Sequence, residues 1–203
     1  MTDKAVSAVQ RVAGSTAQVR GLTAQFGEPV IASRQSFAIG AHAALQLVHR
    51  EGAWADVIVL ACFGDPGLEA LREAIDKPVI GMARSALREA KLRAQPIHII
   101  TAGAAWDAML RETVQLELLT AQLHGITVLP SDGLAIARAP EAFIAQIQKV
   151  LDRLSMSRSA ITKSAPTAIL GGLGFAGIHN QLRYDGHLID GLDAAVRAAV
   201  QAE

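Results

Sequence analysis

The stretch Asp56-Val57-Ile58-Val59-Leu60-Ala61-Cys62-Phe63-Gly64-Asp65-Pro66-Gly67 decides how this chain folds. Its unbroken run of β-branched and aliphatic residues is the pattern of a parallel strand covered on both faces. Asp65-Pro66-Gly67 ends that run and predicts a helix start, with Asp65 as N-cap and Pro66 at the first helical position. Cys62 falls at the junction, where open α/β sheets place ligand chemistry. The N–H groups and macrodipole of the following helix would favour a thiolate there. A free cysteine also packs as a small hydrophobe, so position alone leaves a reactive thiol and a core residue both open.

Outward from this stretch, helical and strand signals alternate. Ala5, Val6, Val9 and Val12 recur at helical spacing, with Thr2 or Asp3 as N-cap. A short strand is expected near Pro29–Ser33, then a helix from about Gln35 to Arg50. After Cys62 come a helix from Pro66 to about Ile75, strand Pro78–Ile80, helix Arg84–Arg93 and strand Ile97–Thr101. A long helix from about Trp106 to Leu123 leads to strand Ile126–Leu129, an amphipathic helix Pro140–Met156, strand Thr167–Leu170 and a helical tail Leu192–Ala202. Ser131-Asp132-Gly133 reads as a turn. Alternation of this kind predicts an α/β fold with parallel sheets and right-handed crossovers.

Composition narrows the class. Of 203 residues, 51% are apolar and only 4% aromatic, the balance of aliphatic helices packed on a parallel sheet. Lys+Arg and Asp+Glu stand at 19 each, so no net field attracts nucleic acid or an anionic membrane. A single cysteine excludes an internal disulfide and a cysteine zinc cluster, and suits a reducing compartment. Met1–Val6 lacks the apolar core of a signal peptide, and the run Val57–Phe63 is too short to span a bilayer. The expectation is a soluble cytoplasmic protein.

A shift of 110 positions lays the Cys62 region on a second copy of itself. Leu60 falls on Leu170, Gly64 on Gly174, Gly67 on Gly177 and Gly81 on Gly191. The copy, Thr167 to Gly177, is again a strand followed by a glycine-bearing turn, and it puts Gly172 opposite Cys62. Two similar lobes related by a pseudo-two-fold axis follow, with their turns facing across a cleft. Gly172-Leu173-Gly174-Phe175-Ala176-Gly177 is also a formal G-x-G-x-x-G, with Asp190 near the spacing of a ribose-binding acid. Only 26 residues follow Gly177, too few for the rest of a dinucleotide domain. These glycines more simply let backbone approach closely, as to a small anion.

Val57–Gly67, followed by Lys77-Pro78-Val79-Ile80-Gly81, resembles the first cysteine motif of hydantoin racemases in the aspartate/glutamate racemase superfamily. Ile97–Thr101 is similar to that family's central strand, which ends in a substrate-contacting threonine. Thr167–Gly177 with Leu188–Gly191 is similar to its second cysteine motif and last strand. The resemblance implies an α/β fold of two lobes, each a parallel sheet flanked by helices. Lobe 1 is expected over 1–81 plus 188–203 and carries Cys62; lobe 2 spans 82–187 and carries Gly172. It further implies a cofactor-independent isomerase, with no metal and no organic cofactor. Two cysteines flank the stereocentre, because one base cannot easily serve both faces of a carbanion. Sulfur suits both tasks when its pKa lies near ambient pH. Substrate neighbours implied are Phe63, Gly64, Thr101, Gly172, Leu173 and Gly174, whose backbone amides would take up enolate charge.

Two departures stand out. The family's second cysteine aligns with Gly172, so racemisation is expected to be impaired. Met1–Val6 resembles the segment just after the family's first strand and its Asn-Pro-Asn-Thr-type loop, so that strand of lobe 1 and that loop are expected to be missing. A start codon assigned too far downstream would explain the gap. The resemblance also implies a homo-oligomer acting on a small hydantoin, amino acid or other carboxylate.

Other titratable residues have ordinary readings. His42 and His49 lie within a predicted helix, His98 alternates with core positions, His124 stands at a helix end, and His187 borders the last strand. His179 lies seven positions past Gly172 and is poorly placed as a substitute acid. Arg84 and Ser85 follow the strand ending at Gly81, where Arg84 would pair with a substrate carboxylate or lie in solvent. No His, Asp and Glu spacing marks a metal site. Beside the racemase reading stand a one-cysteine decarboxylase of the arylmalonate type and a catalytically degenerate member that binds a small carboxylate.

Overall fold

In the computed structural model, residues 1–15, 17–157 and 164–202 are described. The helices are α1 (Thr2–Ala13), α2 (Arg34–Glu51), α3 (Leu68–Ala74), α4 (Met82–Lys91), α5 (Trp106–Leu116), α6 (Gly133–Arg138), α7 (Glu141–Met156) and α8 (Gly191–Val200). The strands are β1 (Ile58–Leu60), β2 (Val79–Gly81), β3 (Ile97–Ala102), β4 (Leu123–Leu129), β5 (Thr167–Leu170) and β6 (Leu188–Asp190). Two parallel sheets result: β1 beside β2, and a four-stranded sheet in the order β4-β3-β5-β6. This is the expected α/β architecture of parallel sheets flanked by helices, in two lobes of unequal sheet size.

Every residue of β3 and β5 is buried, as the continuous Ile97–Thr101 and Thr167–Leu170 runs require of strands covered on both faces. Helices α4 and α8 lie against each other through small residues, Ala83, Ala86 and Ala90 facing a cluster that includes Ala194 and Ala195. The final segment divides its contacts. β6 pairs with β5, so Leu188–Asp190 lies in the four-stranded sheet, whereas α8 packs back over α1, α4 and both strands of the smaller sheet. Among the described residues no helix is long and apolar enough to cross a membrane.

Several local expectations are corrected. Pro29–Ser33 forms no strand. Pro29 has no N–H for a ladder, Ile31 packs against Gly40 of α2, and Ser33 is a helix cap. Ser33 Oγ accepts from Ser36 N while Ser36 Oγ accepts from Ser33 N, a reciprocal capping box. Neither Thr2 nor Asp3 caps α1; its N-cap is Met1, and the Thr2 hydroxyl bonds that of Thr23. The helix from Trp106 stops at Leu116 because Leu118 takes a left-handed φ of 58°. A 3-10 turn, Thr120–Gln122, then leads into β4, which begins three residues earlier than expected and contains His124. Asp132 does more than make a turn: its carboxylate accepts from Leu134 N and Ala135 N and so caps α6.

Candidate active site

Cys62 stands just past the end of β1, half-buried, where the sequence put it. The turn after it is held by Asp65 in a way the sequence did not reveal. Asp65 N–H donates to Cys62 O at 3.1 Å, and Asp65 O accepts from Leu68 N at 3.1 Å. Asp65 was expected to cap its own helix, but Gly67 is the N-cap of α3. The Asp65 carboxylate reaches instead to α4, accepting from Ala83 N and Arg84 N, each at 2.9 Å. Asp65 itself has a left-handed φ of 56°, a strained backbone for a non-glycine residue that the two cap bonds hold in place.

The second glycine-bearing turn meets the first through Phe63. An ideal Cβ on Gly171 would fall 2.5 Å from the Phe63 ring, and one on Gly191 would fall 3.0 Å from its other edge. Phe63, 4% exposed, is thus a wedge between the turns that carry Cys62 and Gly172. Thr101 ends under the same turn, and its hydroxyl donates to Gly171 O at 2.8 Å. Gly172 has φ 154° and ψ 143°, with only the Phe175 ring near its missing Cβ, at 3.3 Å. Leu173 packs at the edge of the core cluster that contains Phe63 and Cys62. Gly174 is required by packing: a Cβ there would fall 2.5 Å from Gly133 O, at the start of α6.

The G-x-G-x-x-G stretch is followed by two short 3-10 turns, Leu173–Phe175 and Ile178–Gln181, with no α-helix to receive a phosphate. Asp190 turns back onto the stretch. Its carboxylate accepts from Gly177 N at 2.8 Å and caps α8 through Leu192 N and Asp193 N. His179 Nδ1 lies 3.3 Å from Asp190, and Asp193 pairs with Arg11 at 2.8 Å. His179, Asp190 and Asp193 offer ligand atoms within 4.8 Å of one another, a grouping that sequence spacing did not flag. Burial opposes ionisation of Asp190, but the His179 contact and the Gly177 N–H outweigh it and hold the carboxyl below its usual range. The Asp190 contact raises His179 in turn. Arg11 supplies a cation to this cluster already, so the group reads as an ion-pair network.

The electrostatics around Cys62 run opposite to the expected thiolate. Burial pushes the thiol up to about 12, and the Asp65 carboxylate adds to the rise. α3 begins only at Leu68, so its N-terminus is too far along the chain to offset that. Burial likewise lifts Asp65 to about 6, against the opposing pull of the α4 N–H groups and Arg84. Cys62 rests as a thiol.

Beside the first turn opens a cleft of about 460 Å³ lined by Gly64, Asp65, Phe37, Trp106, Arg34 and Arg84, among others. Trp106 lies directly over Gly64, where a Cβ would come within 2.3 Å of its ring, and it meets Phe37 edge-on at 6.3 Å. Arg84 is committed to Glu69 and Glu117 and is not free in solvent. Lys4, from α1, donates to Gly174 O at 2.7 Å. None of Phe37, Trp106 and Lys4 belongs to a readable motif; each is brought here by packing of distant segments. The remaining histidines lie apart: His42 bonds Gln46, His98 bonds Thr127 at 2.8 Å and meets the His124 ring at a tilt of 53°, and His187 faces Glu89.

Relatives carry the same architecture. The chain is 28% identical to the hydantoin racemase of Pseudomonas sp. (strain NS671) over 202 residues, covering 98% of this chain and 79% of that protein. It is 28% identical to the hydantoin racemase of Paenarthrobacter aurescens, covering 98% of this chain and 84% of the relative. Its fold superposes on allantoin racemase from Klebsiella pneumoniae with a TM-score of 0.86 at 25% identity, covering 98% of this chain and 80% of the other. The family model for Asp/Glu/hydantoin racemases matches residues 1–199. With two parallel sheets, a cysteine at the end of β1 and a glycine turn pressed against the adjoining Phe63, the chain belongs to the Asp/Glu/hydantoin racemase family.

Proposed function

We propose that this chain is a cofactor-independent proton-transfer enzyme acting at a carbon α to a carbonyl, with Cys62 as its one acid/base and a hydantoin-type ring as substrate. The observation that carries this reading is the pairing of turns: Cys62 on one, Gly172 on the other, with Phe63 wedged between. The names of the relatives support the substrate class, since hydantoin and allantoin share a ring whose C5–H lies beside a carbonyl. Phe63, Gly64, Thr101, Gly172, Leu173 and Gly174 are the substrate neighbours in this reading. Because Thr101 gives its proton to Gly171 O, its part is to hold the second turn in shape. The division into lobe 1 (1–81 with 188–203) and lobe 2 (82–187), changed in that β6 belongs to the sheet of lobe 2, a cytoplasmic homo-oligomer and the lack of metal or organic cofactor belong to the same proposal.

Racemisation needs a proton removed from one face and delivered to the other. Gly172 offers no side chain for the second task, so exchange on a single face outruns inversion. The test uses one enantiomer of a 5-substituted hydantoin in D₂O. Loss of the C5–H signal with optical rotation retained supports the proposal. Inversion keeping pace with exchange would overturn it.

One observation favours a second reading. A thiol that rests protonated is suited to deliver a proton to the carbanion left when CO₂ departs, as in a decarboxylase of the arylmalonate type. The C–C electron pair stays on carbon, and the Cys62 S–H proton moves to it. A panel of substituted malonates yielding no CO₂ would remove this alternative.

A further inference from the structure

We propose that Asp65 is a positioning residue for Cys62: it pins the Cys62–Gly67 turn to the first turn of α4 and holds a carboxylate within the turn that carries the sulfur, which sets how readily the thiol gives up its proton. The proposal deepens the reading of Cys62 as acid/base and rests on it. Its basis is geometric. Asp65 is 6% exposed, takes a left-handed backbone, and bonds Cys62 O through its own N–H. Its carboxylate spends both oxygens on the N–H groups of Ala83 and Arg84, so the side chain cannot swing away. A Cβ on Gly81 would lie 2.4 Å from Oδ2, so β2 closes the third side.

The charges facing Asp65 leave its carboxylate effective. From α4 come Arg84 and Arg88, which both feel the Asp65 charge but share their guanidiniums with other acids. Arg84 pairs with Glu69 of α3 and with Glu117 just past α5, and Arg88 pairs with Glu117 as well. Cys62 is the other titratable neighbour. Two acids therefore answer the two arginines, and the Asp65 charge acts on the thiol.

Cys62 is the chain's one cysteine, so thiolate absorbance and iodoacetamide alkylation read it directly. In Asp65→Asn, which keeps an acceptor but removes the charge, the Cys62 titration midpoint is expected to fall by about one unit. The alkylation rate at neutral pH then rises roughly tenfold. An unchanged midpoint in the folded variant overturns the proposal. Should that variant fail to fold, the unmodified protein decides. Its logarithmic alkylation rate is expected to rise with pH, flatten near the Asp65 titration at about pH 6, and rise again. A single straight line through that region overturns the proposal, and loosening of the turn would not produce the shoulder. Neither measurement uses substrate. A shoulder without hydantoin exchange would therefore fail the functional reading alone, and exchange without a shoulder would fail only the role of Asp65.

Discussion

The Phe63 ring occupies the space in which a Gly171 side chain would begin, with its Cε1 atom 2.5 Å from that ideal Cβ position. Gly171 has no left-handed backbone, so its glycine is demanded by this contact and not by φ. Gly171→Ala is therefore expected to cost about 1–3 kcal/mol, the range of overpacked cores, and to force the two turns apart. Urea unfolding checks the stability. Adding Phe63→Leu should recover part of the loss, and a double-mutant cycle without coupling would contradict the wedge.

Gly172 differs from its neighbour. Its missing Cβ has room, with the Phe175 ring carbons at 3.3 and 3.4 Å, but its φ of 154° disfavours any side chain. Gly172→Cys should fold with a loss of about 1–3 kcal/mol. It should also raise inversion of the hydantoin toward the rate of isotope exchange. Polarimetry run alongside proton NMR measures the two rates on one sample. Unimproved inversion would mean that the missing second thiol is not what limits racemisation.

Cys62→Ser removes the acid/base while changing volume little. Exchange at C5 is expected to drop at least about 100-fold, the scale of a lost general acid/base. The unfolding free energy from urea titration should change by under about 1 kcal/mol. Exchange that survives this change would show that another group carries the proton.

His98 is expected to make one part of the stability sensitive to acid. Burial lowers its pKa from 6.5 to about 4, with His124 and Arg153 adding to the effect. A histidine depressed in the folded state contributes stability that is complete above 6.5 and is lost as pH falls from there toward 4. The full loss is roughly 3 kcal/mol. Asp65, raised from 3.8 to about 6, acts in the opposite sense and gains stability as pH falls through that window. Comparing His98→Asn with the parent from pH 7 to pH 4 isolates the histidine, and the variant should gain stability relative to the parent as pH falls through that window. Parallel curves would count against a neutral buried His98.

What the sequence made legible was whatever lies within one element. The aliphatic runs at Ile97–Ala102 and Thr167–Leu170 declared their strands because a strand covered on both faces has no polar alternation to hide it, and Ile58–Leu60 carries the same pattern although it is only part-buried. The repeat aligned Cys62 with Gly172 because both follow such runs. What stayed hidden depends on partners far along the chain. Asp65 looks like a local N-cap until α4, 18 positions on, takes both its oxygens. The proximity of Phe37 and Trp106 to Gly64 has no local signature, since one comes from α2 and the other from α5. The state of the thiol is hidden for the same reason. The sequence predicts a helix start at Pro66, but the chain first spends Asp65–Gly67 in a tight turn, so a carboxylate and not a helix N-terminus acts on the sulfur.

The smaller sheet has a consequence for how the molecule breathes. β1 and β2 contribute three residues each, against four to seven in the strands β3 to β5. A two-strand ladder of that length holds few cross-strand bonds, so it forms a weak cooperative unit compared with the larger sheet. Native-state hydrogen exchange should therefore release the amides of Val59, Leu60 and Ile80 at a lower opening free energy than those of Ile99, Ile100 and Ile169. Cys62 is attached to this weaker unit, so the same sub-global excursions are expected to widen the access of solvent to its sulfur.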